Sequence, residues 1–77
     1  MQVVDLFAGI GGFSLAAHWI GWHTVQFVEI NPFCQKVLNK NFPGIPIHGD
    51  IKTFGINELK KANWNPHADT IVCGGFP

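Results

Sequence analysis

The residues of this chain that could do chemistry are a glycine-rich run, Phe7-Ala8-Gly9-Ile10-Gly11-Gly12, and two carboxylates, Glu29 and Asp50, each followed by an isoleucine, Ile30 and Ile51. Glycines reach backbone dihedrals closed to other residues and let a ligand approach the main chain, and at a helix start the free N–H groups favour an electron-rich partner. Glu29 lies twenty residues after Gly9. At that interval a carboxylate in a strand, loop, helix, strand unit reaches the two ribose hydroxyls of an adenosine-containing ligand. Asp50, one strand further on, could accept from an exocyclic amine such as that of adenine, with Ile30 and Ile51 sandwiching the ring. Taken singly, each feature is equally served by a tight turn or a solvated loop carboxylate; only their joint placement speaks for a site. Ser14 stands where the dinucleotide pattern G-x-G-x-x-G has its last glycine, which argues against a nicotinamide or flavin enzyme.

For these residues to meet, the segments around them must alternate strand and helix. Gln2 to Phe7, with Val3, Val4 and Leu6, is expected to be a strand that runs into the glycine loop. Phe13, Ala16, Ala17 and Ile20 recur at helical spacing over 12–20, and Gly21 follows where a left-handed cap would sit. Thr24 to Val28 is a second strand. Asn31-Pro32 is an N-cap with proline at the first helical position, opening a helix to Asn41. Its residues Phe33, Cys34, Val37 and Leu38 share one side, opposite Lys36 and Lys40. Ile45 to His48 reads as a short third strand, Ile56 to Ala62 as a short helix and Thr70 to Cys73 as a fourth strand. Such alternation implies an α/β fold with parallel strands and right-handed crossovers, in which ligands bind beyond the carboxyl ends of the strands.

Composition narrows the classes. The chain has 77 residues, 47% hydrophobic and 13% charged, enough for one small core. The net charge is zero and the five basic residues are scattered, so this segment alone is expected to grip nucleic acid weakly or not at all. Cys34 and Cys73 lack the spacing of a secreted disulfide framework, and the N-terminus lacks the features of a signal peptide, which together imply a reducing, cytoplasmic setting. No stretch approaches transmembrane length. His18, His23, His48 and His67 have no metal-ligand spacing, so no metal site is expected. Both cysteines read as small buried apolar groups, and Trp19, Trp22 and Trp64 as core or interface anchors.

The run Asp5-Leu6-Phe7-Ala8-Gly9-Ile10-Gly11-Gly12-Phe13-Ser14-Leu15-Ala16 resembles the first signature motif of the DNA cytosine-5 methyltransferases. The similarity continues in order through Phe27-Val28-Glu29-Ile30-Asn31-Pro32, Gly49-Asp50-Ile51 and Asp69-Thr70-Ile71-Val72-Cys73-Gly74-Gly75-Phe76-Pro77, and so covers essentially the whole chain. The resemblance implies an incomplete Rossmann-like, S-adenosylmethionine-dependent methyltransferase fold with sheet order 3-2-1-4. Residues 1–77 would then be the N-terminal part of one catalytic domain, with no second domain.

The resemblance also implies roles. Phe7, Ala8, Gly9, Gly11 and Gly12 would contact the adenine and methionine portions of the cofactor, Glu29 its ribose, and Asp50 with Ile51 its adenine. Gly75 and Pro77 match the start of the family's Gly-Phe-Pro-Cys-Gln loop. The nucleophilic cysteine is therefore expected immediately after Pro77, Cys73 is not aligned with it, and the chain carries no catalytic residue of its own. In the family that cysteine attacks carbon 6 of a flipped-out cytosine and carbon 5 takes the methyl group, leaving S-adenosylhomocysteine. DNA would be the partner of the complete enzyme, in a restriction-modification setting, nucleoid-associated in a bacterium or nuclear in a eukaryote. RNA cytosine methylation, or a non-catalytic cofactor-binding or assembly protein, are the alternatives. With that strand order, Ile71 and Val72 would lie on an open edge, which favours a homodimer or larger assembly through the edge or an uncovered sheet face.

Overall fold

Gln2-Val3-Val4-Asp5-Leu6 forms β1 (Gln2–Leu6), one of the two inner strands of a four-stranded sheet, and its first four residues are buried. Two-sided burial suits a parallel sheet, whose strands run nearly continuously apolar. A computed structural model describes residues 1–74, so the site expectations at Gly75 and Pro77 lie outside the described residues. β1 pairs in parallel with β2 (His23–Val28) on one side and β4 (Thr70–Gly74) on the other, and β2 pairs in parallel with β3 (Ile47–His48). The order is β3-β2-β1-β4, as expected. The crossovers carry α1 (Gly12–Trp19), α2 (Pro32–Asn41) and α3 (Ile56–Lys61), with a single turn of 3-10 helix at Ile51–Thr53.

The core forms where β1 and β2 meet α2. Val3, Val4, Phe27, Val28 and Leu38 are at most 1% exposed, and Phe42 stands edge-on to Phe27 with ring centroids 5.3 Å apart. Each large side chain buried this way contributes about 1.5–3 kcal/mol. Buried amides are satisfied rather than avoided. Gln2 donates to the carbonyl of Asn65 and accepts from its N–H, both at 2.7 Å, which fastens the loop before β4 to β1. Trp64 donates from Nε1 to Thr70 Oγ1 at 3.1 Å in the same corner. No helix among the described residues is long and apolar enough to cross a membrane.

Three local expectations are modified. β3 is two residues long, because Pro46 has no N–H for the ladder; its carbonyl instead accepts from Phe27 N at 3.0 Å and from Gln26 Nε2 at 3.2 Å. α1 is where the spacing places it, and Gly21 has the left-handed φ of 86° expected of its cap. Its inward face, however, is Ser14 and Ala17, while Phe13, Leu15, Trp19 and Ile20 are 45–76% exposed. Small residues on the sheet side allow a close approach, so the apolar spacing marks the helix without marking its inner face. On α2, Leu38 is buried and Cys34 and Val37 half-buried, but Phe33 points outward. β4 forms the sheet edge, with Val72 63% exposed.

Candidate functional site

At the end of β1 the chain enters the left-handed region three times in five residues, at Phe7 (φ 55°), Gly9 (φ 57°) and Gly11 (φ 91°). Only the glycines do so without steric cost; Phe7, 40% exposed, is held there by its neighbours. Those neighbours are evident. Ala8 N donates to the carbonyl of Val28 at 3.1 Å and Gly11 N to that of Ala8 at 3.0 Å, so the loop folds back over the end of β2. Gly11 is required twice over, because a Cβ at this position would lie 2.6 Å from Phe42 Cε2 and 3.0 Å from Leu38 Cδ2. α1 then begins with no side-chain cap and no acidic residue in its first turn. Its first N–H groups have no intrahelical acceptor and carry the positive end of the helix dipole.

Glu29 leaves the end of β2 and joins this loop directly. Its Oε1 accepts from Gly9 N at 2.6 Å and its Oε2 from Asn31 N at 2.9 Å. The main chain of Glu29 is fixed as well, its N–H donating to the carbonyl of His48 at 2.9 Å and its carbonyl accepting from Gln35 Nε2 at 2.7 Å. The bond to His48 ties the end of β2 to the segment that carries Asp50. There Asp50 Oδ1 accepts from Lys52 N at 2.9 Å, capping the 3-10 turn, and its carbonyl accepts from Thr53 Oγ1 at 3.0 Å. Ile30 is 71% exposed beside Glu29, and Ile51 is half-buried beside Asp50.

The expected residues Phe7, Ala8, Gly9, Gly11, Gly12, Glu29, Ile30, Asp50 and Ile51 thus all lie at the carboxyl end of the sheet, with Gly9 and Glu29 in contact. Two depressions flank them. One, of about 400 Å³, is lined by Asp5, Phe7, Ala8, Phe13, Cys73 and Gly74 at the ends of β1 and β4. The other, of about 500 Å³, lies between α1 and α2 and is lined by Ile10, Gly11, Gly12, Leu15, Val37, Asn41 and Phe42. The first lies nearer to polar chemistry; the second is largely apolar.

The floor of the first depression holds residues whose part the sequence did not disclose. Asp5 is 4% exposed near the end of β1, and its Oδ2 accepts from Ser14 Oγ at 2.8 Å. Ser14 in turn accepts from Thr24 Oγ1 at 2.6 Å, and Cys73 Sγ donates to Asp5 Oδ1 at 3.6 Å. Burial raises the Asp5 carboxyl above the ordinary carboxylate range; the Ser14 and Cys73 bonds oppose the rise, and the charge of Glu29 adds to it. Burial and the adjacent Asp5 push the Cys73 thiol up to about 11. Cys73 is therefore half-buried and a hydrogen-bond donor, rather than only a small apolar filler. One signal did point here: a carboxylate inside an otherwise apolar strand must find donors, and hydroxyls supply them.

Residues 1–77 match the family model described as C-5 cytosine-specific DNA methylase. Among curated proteins the chain is 44% identical over 77 residues to the type II methyltransferase M2.BsuMI of Bacillus subtilis (strain 168), covering all of this chain and 18% of that protein. It is 39% identical over 77 residues to M.HhaI of Haemophilus parahaemolyticus, covering 100% of this chain and 21% of the relative. It is 38% identical over 74 residues to M.HpaII of Haemophilus parainfluenzae, covering 96% of this chain and 19% of the relative. The chain therefore spans about a fifth of the length of these relatives. No solved structure matches it.

Proposed function

The chain belongs to the C-5 cytosine-specific DNA methylase family, and from that premise we propose that residues 1–77, as the N-terminal part of one catalytic domain, bind S-adenosylmethionine for methyl transfer to carbon 5 of cytosine in DNA. The observation that carries this reading is the 2.6 Å bond from Gly9 N to Glu29 Oε1, which joins the glycine loop and the carboxylate into one unit. The donor set fits the cofactor. Each oxygen of Glu29 receives one backbone N–H, and a carboxylate has about four lone-pair sites, so acceptor capacity remains for both ribose hydroxyls.

Phe7, Ala8, Gly9, Gly11 and Gly12 supply a backbone that a ligand can approach closely, and the uncapped start of α1 supplies N–H donors. Asp50, oriented by its own bond to Lys52 N, would accept from the adenine amine, with Ile30 and Ile51 on either face of the ring. By resemblance, Gly75 and Pro77 would also contact the cofactor. When bound, S-adenosylmethionine supplies an activated methyl group on a sulfonium centre. The nucleophile in this reading is a cysteine following Pro77, not Cys73, whose thiol stays protonated near neutral pH with its value up at about 11.

DNA is proposed as the partner of the whole protein, because a segment of net charge zero offers little phosphate neutralisation. The β4 edge, with Val72 exposed, supports self-association of the segment. Isothermal calorimetry of the 77-residue chain with S-adenosylmethionine and S-adenosylhomocysteine tests the cofactor reading. Saturable one-site binding of both is expected, and no heat of binding even at millimolar ligand would remove it.

A further inference from the structure

We propose that Ser14, held in place by Thr24, is a positioning residue that makes this site prefer a cationic sulfonium ligand over its neutral thioether counterpart, acting through Asp5. The inference rests on the cofactor reading above and deepens it. It begins with an anomaly in the core: Asp5 and Ser14 are 4% and 2% exposed, yet among the described residues no Lys, Arg or His acts on the Asp5 carboxyl. The charged side chain that does act on it is Glu29, of like sign, and the other titratable neighbour is the Cys73 thiol. A buried carboxylate in that position ionises only when donors hold it.

The direction of the hydrogen-bond chain supplies those donors. Thr24 Oγ1 donates to Ser14 Oγ at 2.6 Å, so the single hydroxyl hydrogen of Ser14 is left to point at Asp5 Oδ2, 2.8 Å away. The thiol of Cys73 donates to the other oxygen at 3.6 Å. Without Thr24, Ser14 is free to turn and accept from a neutral carboxylic acid; without Ser14, Oδ2 loses its hydroxyl donor. Both changes favour the protonated acid. Chains of this kind in a low-dielectric interior reinforce each bond within them.

The charge so maintained has somewhere to act. Asp5 lines the depression of about 400 Å³ together with Phe7, Ala8 and Gly74. A sulfonium differs from the thioether by one positive charge and one methyl group, and of these an ionised Asp5 in the lining responds to the charge, favouring the sulfonium and leaving the neutral thioether unaffected. The preference is present above the Asp5 pKa, which burial raises from the ordinary carboxylate range, and is lost as pH falls through it. Removing Ser14 raises that pKa further, so the preference is lost at a higher pH.

Calorimetry with S-adenosylmethionine and S-adenosylhomocysteine, on the wild type, Ser14→Ala, Ser14→Thr and Thr24→Val across the acid to neutral range, tests this. Loss of a charge-assisted bond predicts that Ser14→Ala weakens the sulfonium ligand by about tenfold while the thioether changes by less than about threefold. Ser14→Thr, which keeps the hydroxyl, should restore the ratio, and Thr24→Val should move it in the same direction as Ser14→Ala by a smaller factor. Equal losses for the two ligands would mark Ser14 as merely structural and overturn the proposal. Should Ser14→Ala not fold, the wild type decides: a ratio that falls on acidification supports the proposal, and one flat with pH overturns it. A wild type that binds neither ligand overturns the cofactor reading and this proposal together, whereas binding of both with an unmoved ratio overturns this proposal alone.

Discussion

The starts of α1 and α2 stand at the same end of the sheet, yet they are finished in opposite ways. At α2, Asn31 Oδ1 accepts from Phe33 N at 2.9 Å and from Cys34 N at 3.2 Å, while Pro32 at the first position has no N–H to satisfy. That end is closed by its own residues. At α1, Gly11 stands in the cap position in a left-handed conformation and offers no side chain. Glu29 lies between the two, one oxygen on Gly9 and the other on Asn31. The same strand-to-helix transition thus serves stability at one place and leaves donors for a ligand at the other, and the residue type at the cap decides which.

The largest effect is expected where the open end is made. Gly11→Ala adds a Cβ within 2.6 Å of Phe42 Cε2 at a φ of 91°, which neither ring nor backbone can relieve alone. Left-handed strain and overpacking together predict a loss of about 2–4 kcal/mol in urea denaturation. Gly12→Ala is the matched control, since a Cβ there would meet nothing within 4 Å and the φ of Gly12 is not positive. Equal midpoints for the two variants would show that the close approach of the loop to α2 does not constrain it.

How far the sequence discloses this contrast differs between its halves. The α2 start was legible residue by residue, because Asn-Pro before an apolar helix is local chemistry, and the observed bounds Pro32–Asn41 agree with it. The interval from Gly9 to Glu29 was also legible, since one strand-helix-strand unit sets it. The relay of Asp5, Ser14, Thr24 and Cys73 was not. Its members are separated by 9, 10 and 68 positions along the chain and meet only through parallel pairing of β1 with β2 and β4 and packing of α1 on β1 and β2. Ser14 read as a missing glycine rather than as a donor, and the outward Phe13 and Ile20 drew attention from the small inward face of α1. The 3-10 turn after Asp50 was missed because three residues carry no periodicity.

Glu29→Ala comes next in size and tests the unit formed by loop and carboxylate. It should weaken S-adenosylmethionine binding by about 1–3 kcal/mol, the worth of charge-assisted hydrogen bonds to the ribose. Because Glu29 also holds Gly9 N and Asn31 N, the variant frees one donor on each side. Wild-type affinity by calorimetry would sink the assignment of Glu29 to the ribose and return it to a loop-ordering role.

The smallest change, Asn31→Ala, asks whether the closed end is independent of the open one. Loss of a side-chain N-cap predicts about 1 kcal/mol less stability, read as a lower melting temperature. Cofactor affinity should stay at the wild-type value, because the bond from residue 31 to Glu29 Oε2 comes from the backbone N–H, which alanine retains. A loss of affinity as large as that of Glu29→Ala would break the comparison. It would mean that the Asn31 cap orients Glu29 toward the loop, making the two helix starts one coupled device with Glu29 as its link.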